Sequence, residues 1–278
     1  MVAEHRNPTA LSGDFMPIIR VNKIDFYYED CGKGYPLILI SGLGSNSMSW
    51  KTVLNILSKH YRVITFDNRG AGRSGAPDGA YSISQMTEDL NGLLEYLNID
   101  KAHVLGHSMG GFIAQELALK YPEKINKLML CCTMDKLSKR NKVLFESMYS
   151  SWKNGLSKYI WFRKLYCWVF SPKFFEDEQI IEFAVQFALE YPYQQTLAGF
   201  YGQLKACEGF STFEGLKNVY HDTLVLSGED DILITPLECE IMRDKITNSK
   251  SVVISGVGHT PHVENKEEFS KNILEFLQ

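Results

Sequence analysis

Gly106, His107, Ser108, Met109 and Gly110 follow the spacing G-x-S-x-G inside the stretch AHVLGHSMGGFIAQELA. The residues before the serine read as a strand and those after it as a helix. A strand turning that sharply into a helix strains the residue at its apex. Side chains two positions to either side would collide, so glycine at 106 and 110 removes them. The turn lifts the Ser108 hydroxyl at the carboxyl edge of a sheet and aims the free N–H groups of the helix at it. The chemistry implied is nucleophilic attack on a carbonyl. A glycine-rich turn with no chemistry has the same spelling, so the rest of the chain must supply a base, an acid and an oxyanion site.

His259, in SGVGHTPHVEN between the last strand and the last helix, is the expected base, and His262 is its nearest rival. His103 lies within a strand and His107 beside the serine, where structural roles are expected. His5, His60 and His221 lie in the leader or near element boundaries, where a solvated role is expected. The segment LVLSGEDDILITP ends a strand with Glu229, Asp230 and Asp231. Asp231 is favoured as the carboxylate that holds the histidine tautomer, with Asp230 second and Asp135, after the preceding strand, third. At least one of the clustered acids is expected to do no more than offset a helix dipole. In LISGLGSNSMSW, Gly42 and Gly44 can turn the Leu43 N–H toward the nucleophile. The Met109 N–H supplies a second donor for a tetrahedral oxyanion.

These residues need a scaffold that gathers them, and the hydrophobic patterning supplies one. IIRVNKIDFYYED predicts a hairpin turning at VNKI. PLILISG, YRVITFD, AHVLGHS, INKLMLCC, HDTLVLSG and KSVVISG read as buried strands. Helical spacing separates most of them: MSWKTVLNILSKH, a helix capped at Ser82 with Gln85 as a capping-box partner, a helix after Ser108 stopped by Pro122, one begun by Thr235, Pro236 and Glu238, and a last one capped by Asn265. Strands alternating with helices predict an α/β domain with a mostly parallel central sheet flanked by helices. The alternation breaks at residues 133–220. That segment holds no obvious strand, and 19 of the chain's 34 aromatic residues lie between Phe145 and Phe213. It is expected to be an inserted helical cap over the strand ends. Residues 17–132 and 221–278 form the core, and residues 1–16 read as a loose leader.

The order oxyanion loop, serine, acid, histidine, each at a strand end, resembles that of the α/β-hydrolase superfamily from about Ile18 to Gln278, least so in the cap. DNRGAGRS, Asp67 to Ser74, is similar to the family's D-x-R-G-x-G-x-S loop. The resemblance implies that Ser108, Asp231 and His259 form a triad and that the Leu43 and Met109 N–H groups form the oxyanion hole. Ser41 stands where many members have the histidine of a His-Gly pair. A serine at the elbow separates the chain from haloalkane dehalogenases and epoxide hydrolases, which use aspartate. The elbow also differs from the G-G-S-W-G of prolyl aminopeptidases. The general likeness is to small carboxylesterases and 3-oxoadipate enol-lactonase-like enzymes. A serine hydrolase is expected, cleaving a carboxylic ester, lactone or thioester through an acyl-enzyme, without metal or organic cofactor. The alternatives are a small-molecule receptor with slow catalysis, a C–C bond hydrolase and an acyltransferase.

Bulk properties bound the partners. A net charge of −4 and a pI near 6.0 argue against nucleic acid, which needs a basic surface. No apolar run has the length of a membrane span, and the leader lacks the apolar core of a signal peptide. The six cysteines form no C-x-x-C pair, and Cys131 and Cys132 are adjacent in an apolar run. Buried thiols in a reducing cytoplasm are expected. The aromatic cap suggests a small acyl substrate with an apolar part, although most rings are expected to be the cap's own core. The basic run Lys136 to Lys164 and the acids from Glu176 to Glu182 are expected to be solvated faces.

Overall fold

A computed structural model describes residues 17–278, so the leader expected at residues 1–16 lies outside the described residues. The chain opens with a hairpin of β1 (Ile18–Val21) and β2 (Ile24–Cys31). Asn22 and Lys23 form its turn, both at positive φ, as a two-residue turn matched to strand twist requires. β2 then pairs antiparallel with β4 (Arg62–Phe66).

From there the sheet is parallel. It continues through β3 (Pro36–Ile40), β5 (Ala102–His107), β6 (Ile125–Cys131), β7 (Thr223–Gly228) and β8 (Ser249–Ile254), in the spatial order β1-β2-β4-β3-β5-β6-β7-β8. The inner strands are apolar on both faces, and alternate residues feed two separate cores. Ile38, Ile40, Val104 and Leu130 face one side, with α2 (Ile83–Tyr96), α3 (Met109–Lys120) and α8 (Pro236–Arg243). Leu37, Leu39, Leu105 and Met129 face the other, with α1 (Lys51–Leu57) and α10 (Lys266–Leu277).

The chain enters the parallel part at β3, moves to β4 on one side and then to β5 on the other. The carboxyl ends of β3 and β5 therefore flank a crevice, the place where open α/β sheets gather ligands. Between β6 and β7 lie four helices: α4 (Lys139–Lys153), α5 (Lys158–Val169), α6 (Glu178–Glu190) and α7 (Leu197–Glu208). Some of their rings pack on one another, and Phe145, Trp161, Phe200 and Phe210 join the core on the α2 and α3 side of the sheet. Trp152, Trp161 and Phe200 pack with centroids 5.4–5.9 Å apart. Phe183 and Phe187 instead stack on the exposed face of α6.

Details differ from the sequence expectation. Ser82 caps α2 through the Gln85 N–H, but among the described residues only Thr235 and Glu238 form a reciprocal capping box. His221 is buried rather than solvated, because its ring packs down to the turn at Pro122 and bonds that carbonyl at 2.8 Å. Four cysteines are buried, while Cys167 is exposed on α5 and Cys31 partly so at the end of β2. A short helix, α9 (Pro261–Glu264), follows the His259 loop where none was expected.

Candidate active site

The elbow is built as its glycines require. A Cβ at Gly106 would lie 2.3 Å from the Gly110 oxygen, and one at Gly110 would lie 2.2 Å from the Ile40 oxygen. Neither position can accept a side chain without moving backbone. Ser108 sits at φ 54°, ψ −121°, a conformation that L-residues rarely adopt. Three bonds hold it there: its N–H donates to the Cys131 carbonyl at 3.0 Å, and its own carbonyl accepts from Gly111 N–H and the Thr133 hydroxyl, both at 2.8 Å.

Ser108 is the N-cap of α3, yet its hydroxyl makes no capping bond. Ser82, Ser138 and Ser157, at the same position on α2, α4 and α5, each accept an N–H from their own helix. The inverted backbone at 108 turns the hydroxyl away from that role and leaves it half-buried and available. The same geometry leaves Met109 N–H at the first position of α3, where a helix offers it no acceptor.

Gly42 approaches from the end of β3: a Cβ there would lie 3.0 Å from Ser108 Cβ. The turn that follows, closed by Ser45 N–H to Gly42 O at 3.2 Å, carries Leu43 at its second position. Ser41 uses its hydroxyl locally, donating to the Asn46 carbonyl at 3.0 Å. The loop after β4 braces this turn. Asn68 Nδ2 donates to Ser41 O at 2.9 Å, and buried Asp67 accepts the Ser47 N–H at 2.8 Å. Burial raises the Asp67 carboxyl above its ordinary pKa, and the N–H donors of Arg73 and Ser47 oppose that rise. Arg69 and Asp89 form a buried two-bond pair that anchors the loop to α2.

At the ends of β7 and β8, His259 Nδ1 lies 2.7 Å from Asp231 Oδ2, with both side chains buried. The other Asp231 oxygen accepts the N–H groups of Leu233 and Ile234, each at 2.9 Å, which turns the carboxylate inward. The rival acids go elsewhere. Asp230 is half-exposed, Asp135 pairs with Lys245, and Glu229 accepts the Gly256 N–H at 3.0 Å. The rival base His262 packs 4.6 Å from the Trp50 ring, its Nδ1 without a partner. Burial, then the neighbouring His259, holds it neutral down to about 3.

His107 does more than its sequence position suggests. Its Nε2 lies 2.7 Å from the His259 carbonyl oxygen, so Nε2 carries the proton and donates. Burial, followed by the nearby His262 and His259, pushes its pKa well below the ordinary range. The elbow thus holds the His259 loop through the residue next to Ser108. From the other side, Val169 at the end of α5 accepts the His259 N–H at 2.8 Å. Sequence spacing signals neither contact, because their partners are 152 and 90 positions away.

Among the described residues, His107, Cys132 and His259 are the His, Cys, Asp or Glu side chains near enough to share an ion, their donor atoms within 4.8 Å. They suit one poorly. Burial, then the Cys131 thiol, pushes the Cys132 thiol well above its ordinary pKa, so no thiolate is there to bind the ion. A cavity of about 290 Å³ lies between α4 and α5, lined by Leu144, Met148, Leu156, Trp161 and Trp168 among others, and none of Ser108, Asp231 or His259 lines it.

Residues 35–159 match the family described as the alpha/beta hydrolase fold. Among curated proteins, RutD of Pantoea ananatis, which carries the name of a carbamate hydrolase, is 28% identical over 91% of this chain and 93% of its own length. Among solved structures, a thermophilic esterase of Thermogutta terrifontis is 28% identical with a TM-score of 0.84, over 95% of this chain and 98% of that one. The enol-lactonase of Burkholderia xenovorans LB400 has a TM-score of 0.86 at 24% identity, over 94% of this chain and 99% of that one. The chain has the α/β-hydrolase fold, as the resemblance drawn from the motifs implies. Among the described residues, no helix is long and apolar enough to cross a membrane.

Proposed function

We propose that the protein is a serine hydrolase of carboxylic esters or closely related acyl compounds, such as lactones and thioesters. Ser108 is the nucleophile, His259 the base, Asp231 the acid, and the Leu43 and Met109 N–H groups the oxyanion donors. The observation that carries this reading is an N-cap serine held at φ 54° whose hydroxyl caps nothing, on the same sheet edge as a buried His259–Asp231 pair. Strain of this kind persists only where surrounding structure enforces it, and here three hydrogen bonds do.

In the mechanism, His259 Nδ1–H donates a hydrogen bond to the Asp231 carboxylate, which leaves Nε2 unprotonated as the base. His259 takes the Ser108 proton as the hydroxyl attacks the carbonyl. Negative charge develops on the substrate oxygen, where two fixed N–H donors stabilise it without reorganising. His259 then protonates the leaving group, and water hydrolyses the acyl-enzyme by the same route. The names of the relatives, an esterase and a carbamate hydrolase, describe reactions that share this tetrahedral step. Residues 133–220 act as a cap over the site in this reading, with the core formed by residues 17–132 and 221–278. The substrate is a small molecule, and the protein works in the cytoplasm.

Two measurements test the proposal. Ser108→Ala is expected to abolish hydrolysis of short p-nitrophenyl esters while circular dichroism stays unchanged. A fluorophosphonate probe is expected to label Ser108 on peptide mapping. Full turnover by the variant, or a label on another residue, refutes the assignment.

A further inference from the structure

The turn that carries Leu43 is braced by the core on one side and by the helical insertion on the other. Gly44 N–H donates to Gln203 Oε1 on α7 at 3.1 Å. Gln203 is fully buried. Its Nε2 donates to the Arg69 carbonyl at 2.8 Å, and its Oε1 also accepts from Gln195 Nε2 at 2.8 Å. Gln195 in turn donates to Gly70 O at 3.0 Å. The amide orientation is fixed by its partners. The Arg69 carbonyl can only accept and the Gly44 N–H can only donate, so a flipped amide would oppose both.

Helix α7 cannot drift from this position, because it meets the core backbone to backbone. A Cβ at Gly199 would lie 2.1 Å from the Gly70 oxygen. Tyr81 N–H donates to the Gly202 carbonyl at 3.2 Å. On the turn itself, Gly44 has φ +73° at the third position, as a type II turn requires. Such a turn can rearrange by rotating its central peptide, the unit that ends in Gly44 N–H. Gln203 holds that unit.

We propose that Gln203 is a positioning residue for the oxyanion loop, through which the insertion fixes the Leu43 N–H in its working place. The proposal rests on the reading that Leu43 is an oxyanion donor. A donor must be fixed before the reaction to be useful, and a displacement near 1 Å is costly. Gln203→Met keeps length and apolar bulk but removes every bond. It is expected to lower kcat for p-nitrophenyl butyrate by about 10- to 100-fold with KM nearly unchanged. It is also expected to weaken a trifluoromethyl ketone inhibitor, which forms a tetrahedral oxyanion, by the same factor while leaving the matching methyl ketone unaffected. Gln203→Glu, whose neutral acid keeps an acceptor for Gly44 and a donor for Arg69, is expected to retain most of the rate. Cys207→Ala, buried on the same helix, controls for loosened packing and is expected to keep kcat.

A wild-type protein that fluorophosphonate does not label at Ser108 overturns the parent reading and this proposal with it. A labelled wild type in which Gln203→Met keeps its kcat, or loses no more than Cys207→Ala, overturns this proposal alone. Hydrogen exchange supplies a test that needs no variant: Gly44 N–H is expected to be protected in the folded protein, and exchange at the unprotected rate overturns the proposal.

Discussion

Replacing Ser108 by glycine and by alanine separates the strain at the elbow from its chemistry. Both variants lose the hydroxyl, so both are inactive in the reading above. They differ in Cβ, the atom that makes φ 54°, ψ −121° unfavourable. Such a conformation costs a residue with a side chain about 1–3 kcal/mol. Glycine escapes that cost but gives back about 0.5–1 kcal/mol through the greater freedom of its unfolded chain. The balance makes Ser108→Gly more stable than Ser108→Ala by up to about 2.5 kcal/mol, with a central value of about 1 kcal/mol. For a chain of this size that is a rise in Tm of roughly 1–4 °C. At an unstrained position the sign is opposite, since alanine normally stabilises relative to glycine. Urea and thermal unfolding of the two variants read the difference directly. If Ser108→Gly is the less stable by the ordinary glycine cost, the elbow stores no strain and the argument from it fails.

Asp231→Asn can keep its bonds to Leu233 and Ile234 through Oδ1, which points its Nδ2 at His259 and forces the imidazole proton onto Nε2. Ester turnover is expected to fall by about 10⁴ with the fold intact, and a loss below tenfold in kcat refutes the role. His262 predicts a pH dependence of stability. Its folded pKa, about 3, lies below its ordinary 6.5. The unfolded chain therefore binds the proton first. The stability from the neutral ring is complete above pH 6.5 and is lost as pH falls toward 3, at up to about 1.4 kcal/mol per pH unit. His262→Phe is expected to flatten this limb in urea denaturation at pH 7, 6 and 5; parallel curves for variant and wild type refute it.

The parts of the fold legible in the sequence are those written in neighbouring residues. Strands buried on both faces appear as apolar runs such as PLILI. Glycines two positions either side of Ser108 record the collisions they avoid. Thr235, Pro236 and Glu238 spell out a helix start that forms as read. The choice among Glu229, Asp230 and Asp231 is only partly local. Spacing places all three on the same loop, and the turn at Leu233 and Ile234 decides that Asp231 is the one drawn inward. The burial of His221 is not legible locally, because it depends on the turn at Pro122, 99 positions away.

The polar braces lie further from legibility, and they say something about how the insertion relates to the site. A buried glutamine in LAGFYGQLKACE looks like an ordinary helix-face residue until Gly44, 159 positions earlier, is found donating to it. Beyond Thr133, which bonds the Ser108 carbonyl, the insertion's helices hold the backbone of the site at two further points. Val169 at the end of α5 holds the His259 backbone, and Gln203 on α7 holds the turn that carries Leu43. One contact sits behind the proposed base and the other beside the proposed oxyanion donor. A segment attached only as a cover would need neither. Because both bonds run to backbone groups, side chains facing a substrate are left free to vary while the spacing of the proposed triad stays fixed. In the proposed reading the insertion then has two separable tasks: shaping what enters, and completing the rigidity on which Ser108 depends.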